Sequence, residues 1–362
     1  MARPRARELG IAVGALPPGP LNAITDVPGV RVGHATIVEG EGVRTGLTVV
    51  LPHEGSAWAE PVFAGPHRLN GNGELTGLEW IRESGLLTSP VGITNTNSVG
   101  VVRDALIAAE VEDRGDDFWS LPVVGETWDG LLNDVSGMHV GAEHVRAALA
   151  AAAAGRVAEG NVGGGTGMIC HGFKGGIGTA SRVEADGGHV VGVLVQANYG
   201  RRERLRVEGV PVGEAIPPSE VPLPDEGGPS PGGSIIVLVA TSAPLLPDQC
   251  RRLAQRAGLG IGRMGGVGEN SSGDLFLCFS TGNRGLPAGD FAADTPLTVP
   301  VRMVPAQRLT PLFDAVVEAT EEAILNALCA AETMTGREGV TAHALPLDRL
   351  SDVMSRRGGP GG

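Results

Sequence analysis

Residues 209–241 read GVPVGEAIPPSEVPLPDEGGPSPGGSIIVLVAT, and the change of character after Gly233 decides how the rest of the chain is read. From Gly209 to Gly233 the stretch is dense in Pro, Gly and acid. Such a composition supplies neither a core strand nor a stable helix, so 209–233 is expected to be a flexible surface segment. Ser234 then opens the run IIVLVAT, which lacks polar alternation, as in a strand covered on both faces. A loose segment therefore delivers a serine to the first position of a core strand. If the Gly233–Ser234 bond broke, Ser234 would carry both a hydroxyl and a free α-amine. An α-amine titrates at about 7.7–8.0 and can take the hydroxyl proton near neutrality, so the residue would be nucleophile and base together. Glycine on the N-terminal side tolerates strained geometry and leaves its carbonyl open to attack. Locally, an ordinary strand-initial serine explains the same residues.

Working outward, Leu47–Leu51, Val190–Ala197 and Leu275–Phe279 read as further short apolar strands. Ala142–Ala154 reads as a helix capped by Gly155, Pro247–Ala257 carries apolar residues at helical spacing, and Leu312–Ala331 is a long amphipathic run. The elements interleave without a regular βαβ rhythm, which predicts a layered α/β or α+β domain with helices over sheets. With 57 glycines and only 3% aromatic residues, the core must be packed from Ala, Val, Leu and Ile.

Composition excludes several functions. The 28 basic side chains stand against 41 acidic ones, a net charge of -13, which argues against nucleic acid and anionic membrane as partners. The longest apolar stretch, Ala147–Ala154, falls far short of the roughly 20 residues of a spanning helix. The opening MARPRARELGIAVGALPPGP starts positive, but its apolar part holds a Gly and runs into Pro17-Pro18, so a cytoplasmic location is expected. Cys170, Cys250, Cys278 and Cys329 are too scattered for a metal or redox motif and fit reduced core thiols. His139 and His144, five apart, do not share a helix face, and no metal is expected. Gly260–Gly265 matches G-x-G-x-x-G, yet no strand leads into it. Lys174 is the only lysine, which leaves little room for Schiff-base chemistry.

Three other segments carry groups that could serve Ser234. Asn198 ends the strand VLVQAN and offers an amide donor of the kind an oxyanion needs, although strand-end Asn is also a turn former. Ser272 and Asp274 precede the run LFLCF and put a hydroxyl and a carboxylate at a strand mouth, where they could orient an amine or simply make a turn. Glu126, after the apolar Leu121–Val124, could hold a substrate ammonium or be a solvated loop acid.

In combination and in order, the segments ITDVPGVRVGH, GNGELTG, ITNTNSVG, ETWDGLLND, GGGTGMICHGFKGGIGTASR, VLVQANYG, GGSIIVLVATSAPL and SSGDLFLCFSTGN resemble the L-aminopeptidase/D-esterase (DmpA) family, which includes the β-peptidyl aminopeptidases. The resemblance runs from about Asn22 to Asn283. It implies one α+β catalytic domain, a four-layer αββα sandwich like that of N-terminal-nucleophile hydrolases, spanning 1–362. It implies self-cleavage into 1–233 and 234–362, and assembly as a homo-oligomer of processed heterodimers. Ser234 would be the nucleophile with its own amine as base, Asn198 the oxyanion donor, and Ser272 with Asp274 the holders of the amine. Glu126 would recognise the free amino group of a small peptide, aminoacyl amide or ester, and no cofactor is implied. A tail, 351–362, is expected to be disordered.

The sequence departs from the family pattern twice. Trp128, expected with Glu126 among the substrate-binding residues, stands where some members have Tyr; an indole is larger and offers only an N–H, which narrows the pocket expected beside the nucleophile. Asp274 stands where some have Glu, one methylene longer. Amidases on nylon-type ω-amino acid oligomers and ornithine-acetyltransferase-like transferases resemble the same plan but use Thr as nucleophile. A non-catalytic assembly protein that never matures is the alternative from a different class.

Overall fold

The computed structural model describes residues 3–114, 119–224, 233–288 and 295–356. Among these residues the strands form two large sheets. The first has the order β1-β2-β5-β6, built from Arg31–Glu39, Val43–Leu51, Val91–Asn95 and Val123–Thr127. The second has the order β4-β3-β12-β11-β10-β9, built from Leu86–Leu87, Val62–Gly71, Gly273–Ser280, Ser234–Thr241, Val190–Asn198 and Gly176–Val183. Two small hairpins complete the set: β7 (Ile169–Cys170) with β8 (Phe173–Lys174), and β13 (Met334–Thr335) with β14 (Thr341–Ala342).

The helices are α1 (Leu78–Ser84), α2 (Val99–Arg114), α3 (Ala142–Ala150), α4 (Val212–Ala215), α5 (Pro247–Arg263), α6 (Thr310–Ala330) and α7 (Leu347–Ser355). α2 and α3 cover the outer face of the four-stranded sheet, and α5 and α6 cover the outer face of the six-stranded one. Between the sheets lies a third apolar layer that includes Val50, Ile93, Leu194, Ile236 and Leu277. The result is the αββα sandwich. All eight residues of β11 and all eight of β12 are buried, as the missing polar alternation required. Burying one such Ile or Leu side chain contributes about 1.5–3 kcal/mol.

Two parallel pairs organise the site. β5 and β6 are joined through α2, and β11 and β12 through α5. Both are βαβ units, although the whole chain lacks a βαβ rhythm. The buried Gln196 stitches the sheets together, its amide donating to the Thr94 carbonyl at 2.9 Å and the Thr127 hydroxyl at 2.8 Å.

Four expectations need correction. The Ala-rich helix stops at Ala150, because Ala153 turns away to exchange two backbone hydrogen bonds with Val32. α5 continues to Arg263 and absorbs most of the Gly-rich match, with Gly260 packed so closely on α6 that a Cβ there would lie 2.7 Å from Thr320 Cβ. The part of the Pro/Gly segment from 209 to 224 is folded: Val207 and Val210 bridge, α4 forms, and Val212 and Ile216 are buried. The guanidinium of Arg202 makes this possible by donating to the carbonyls of Ile216 (3.2 Å) and Val221 (3.0 Å). Residues 225–232 lie outside the described residues. The expected tail begins inside α7, whose Val353 is buried, and 357–362 lie outside the described residues.

Candidate active site

The N-terminal ends of β11 and β12 meet the C-terminal ends of β5, β6 and β10. Register brings the sequence-selected residues together here: Asn198 pairs with Ser234 across the antiparallel β10–β11 ladder, and Ser234 pairs with Gly273 across the parallel β11–β12 ladder. Ser234, Asn198, Ser272 and Asp274 are all buried. Ser234 Oγ accepts a hydrogen bond from the Gly273 N–H at 3.2 Å. On the other side of the peptide bond, a Cβ on Gly233 would lie 2.6 Å from Tyr199 Cα and 2.8 Å from the Asn198 carbonyl oxygen, so only glycine fits.

Asn198 is clamped at both ends. Its Oδ1 accepts the Ile169 N–H at 2.8 Å, and its Nδ2 donates to the Trp128 carbonyl at 2.9 Å. That fixes the amide orientation and leaves the second Nδ2 hydrogen free for another acceptor. Trp128 therefore contributes its backbone. Its indole lies over Gly130, where a Cβ would meet ring atoms at 2.5 Å. The loop that supplies Ile169 is held by Lys174, fully buried, whose Nζ donates to the carbonyls of Met168 (2.8 Å), Gly175 (2.9 Å) and Gly165 (3.3 Å). Burial pulls this lysine down to about 7.

Ser272 Oγ donates to Asp274 Oδ1 at 2.6 Å. Burial raises the Asp274 carboxyl to about 6, against the opposing pull of the Ser272 hydroxyl and the Ile235 N–H. A small cleft lined by Tyr199, Gly233, Gly268, Glu269, Ser272 and Asp274 holds about 10 Å³ of free space, room for about one water.

Glu126 comes from the other sheet, at the end of β6, and it too is buried. Its Oε1 accepts the Glu74 N–H at 3.0 Å and its Oε2 accepts the Thr96 hydroxyl. Burial raises its carboxyl above the ordinary range despite these two donors. A buried carboxylate without a cation is costly, so this one favours a ligand that brings positive charge.

The sequence reading missed Thr96, Lys174 as a loop clamp, and the loop 72–74 after β3. Thr96 directly follows the apolar strand β5, and GNGELTG is a Gly-rich polar stretch between a strand and a helix. These were the available signals, but neither says which distant group the segment will touch.

The profile of peptidase family S58 matches residues 22–342. Beta-peptidyl aminopeptidase BapA of Sphingosinicella microcystinivorans is 48% identical over 98% of this chain and 92% of its own. The protein of the same name from Sphingosinicella xenopeptidilytica is 42% identical, over 99% and 92%. Among solved structures, a Burkholderia sp. beta-aminopeptidase superposes with a TM-score of 0.93 at 56% identity, covering 99% of this chain and 100% of the other. The L-aminopeptidase D-Ala-esterase/amidase of Ochrobactrum anthropi, described as a prototype for the serine aminopeptidases and a new variant among the Ntn hydrolase fold, gives a TM-score of 0.89 at 44% identity. It covers 98% of this chain and 99% of its own.

Proposed function

Because the chain belongs to peptidase family S58 and is an aminopeptidase with the Ntn-hydrolase fold, we propose that it matures by cutting its own Gly233–Ser234 bond and then works through Ser234. The observation that carries this reading is the row Asn198, Ser234, Gly273 across three adjacent strands, with a space at Gly233 that admits no side chain. In maturation, Ser234 Oγ attacks the Gly233 carbonyl carbon. The C–N bond breaks as a C–O ester forms, and the hydroxyl proton ends on the departing nitrogen. Water then hydrolyses the ester, leaving a Gly233 carboxylate and a free Ser234 amine.

In turnover, that amine takes the proton from Oγ as Oγ attacks the substrate carbonyl, and the free Nδ2 hydrogen of Asn198 stabilises the oxyanion. The amine returns the proton to the leaving group, and water releases the acyl residue by the reverse sequence. Asp274, supported by Ser272, pairs with the amine when it is charged. Glu126 binds the substrate's α- or β-ammonium, which restricts the enzyme to N-terminal residues of small peptides, amides and esters. No cofactor enters these steps.

We further place the enzyme in the cytoplasm, as a homo-oligomer of processed heterodimers without nucleic-acid or membrane partners. Four buried free cysteines support a reducing compartment. Among the described residues no helix is long and apolar enough to cross a membrane. The test of the substrate reading is a paired assay of an aminoacyl anilide and its N-acetyl derivative. Hydrolysis of the free amine alone is expected; equal hydrolysis of both would remove Glu126 from its role.

A further inference from the structure

The ammonium anchor and the nucleophile sit on different sheets, and two glycine backbones pressed together are what separates them. A Cβ on Gly73 would lie 2.9 Å from Glu126 Oε1 and 3.2 Å from Gly273 Cα. A Cβ on Gly273 would lie 2.5 Å from the Asn72 carbonyl oxygen and 2.8 Å from Gly73 Cα. Gly273 in turn donates its N–H to Ser234 Oγ. A continuous line of contacts therefore runs from the Glu126 carboxylate through Gly73 and Gly273 to the nucleophilic oxygen. Neither glycine has a positive φ, so it is space and not backbone conformation that demands them.

The loop carrying Gly73 is exposed to solvent, yet it is tied on both sides of that line. Asn72 donates its backbone N–H to the Ser272 carbonyl at 3.2 Å and its side-chain amide to the Ser271 carbonyl at 2.7 Å. Asn70 donates to the Glu269 carbonyl, and Glu74 donates to Glu126 itself. The loop thus binds the strand mouth of Ser272 and Asp274 at one end and the anchor carboxylate at the other.

We propose that the loop 72–74, which leaves the end of β3, forms a spacer whose thickness, set by Gly73 against Gly273, fixes the anchor-to-nucleophile distance and thereby selects the length of the aminoacyl group. An α-aminoacyl substrate has one carbon between ammonium and carbonyl, and a β-aminoacyl substrate has two, a difference of about 1.5 Å or one C–C bond. Gly73 and Gly273 are specificity-determining positions that act through Glu126 and Ser234: Gly73 touches no reacting atom, and Gly273 meets Ser234 Oγ only through its backbone N–H. The inference rests on the role of Glu126 as the ammonium anchor.

The experiment compares kcat/KM for β-alanyl and L-alanyl p-nitroanilide in the wild type, Gly73→Ala and Asn72→Ala, with processing checked by intact mass. A methyl group at Gly73 wedges Glu126 away from the nucleophile, so the ratio should move toward the longer β-alanyl substrate. The expected shift is about tenfold, the discrimination that one methylene ordinarily carries in a pocket. Asn72→Ala adds no bulk and cuts one tether, so discrimination should relax toward parity. It also serves as the test if Gly73→Ala does not fold. If both substrates slow together and the ratio stays fixed in the folded variants, the spacer is refuted. The N-acetyl substrate separates the anchor from the spacer. Wild-type turnover of the blocked substrate overturns the anchor, whereas strict dependence on the amine with an unchanged ratio overturns only the spacer.

Discussion

The two sheets contribute to the site in different ways. The six-stranded sheet offers Ser234, Asn198, Ser272 and Asp274 from the ends of adjacent strands, where hydrogen-bond register sets their spacing. The four-stranded sheet offers Glu126, whose surroundings are Thr96 and the backbone of an exposed loop. If Ser234 and Glu126 act as proposed, bond-making chemistry sits on a hydrogen-bonded ladder backed by α5 and α6, and recognition sits at the end of β6, where the loop 72–74 ties it to that ladder. Substitutions of Ser234, Asn198, Ser272 or Asp274 should then act on every substrate alike, and those at Glu126 and its contacts should act according to what the substrate carries.

The largest effect is expected on the ladder. If Asn198 donates to the oxyanion as proposed, Asn198→Ala should lower kcat by about 100- to 1,000-fold, equally for free-amine amides and esters, with KM little changed. Single-turnover kinetics on the processed protein would check this, and a loss confined to KM would move Asn198 out of the oxyanion site. Glu126→Gln comes next. Losing one charge-assisted interaction of about 1.5–3 kcal/mol should cut kcat/KM for free-amine substrates roughly 10- to 100-fold and leave any residual N-acetyl hydrolysis unchanged.

A third effect is electrostatic. In the uncut chain, burial holds Asp274 at about 6, so its neutral form is favoured by the fold and its charge is lost as pH falls through that value. If the chain cuts itself before Ser234 as proposed, the new ammonium lies beside Asp274 and should lower its carboxyl by about one to three pH units. Carboxyl-carbon NMR titration of Asp274 in uncut Ser234→Ala and in processed wild type should show this downward move. An unchanged value would mean that the amine lies elsewhere. The smallest effect is expected at Trp128, where the backbone carbonyl contacts Asn198 and the indole lies over Gly130. Trp128→Phe keeps both the carbonyl and an aromatic ring beside Gly130, so kcat should change by no more than about threefold.

What could be read from the sequence follows the same division. Ser234, Asn198 and the Ser272–Asp274 pair were legible because each is a polar residue bounding a long apolar run, and strand ends are where sheets present chemistry. Gly233 was legible for its lack of a side chain. The contacts of Glu126 were not, because Thr96 reaches it by a hydroxyl from the end of the neighbouring strand β5 and Glu74 by a backbone N–H from the loop after β3, pairings of distant segments that only folding creates. Lys174 read as a mere exclusion of Schiff-base chemistry, whereas in the fold its three carbonyl acceptors hold the loop that orients Asn198. Tertiary contacts also overrode local propensity at Ala153, which pairs with Val32, and at 209–224, where Arg202 gathers carbonyls that Pro-rich sequence alone would leave to solvent.

The central claim is that Ser234 cuts the chain and then works from the new end. Its most direct test is the intact mass of freshly purified wild type beside Ser234→Ala. Self-cleavage predicts two wild-type fragments, 1–233 and 234–362, the second beginning with an unblocked Ser, and a single 37.0 kDa chain for the variant. A wild type that remains at 37.0 kDa while hydrolysing aminoacyl anilides, or a variant that is cut at the same bond, would contradict it.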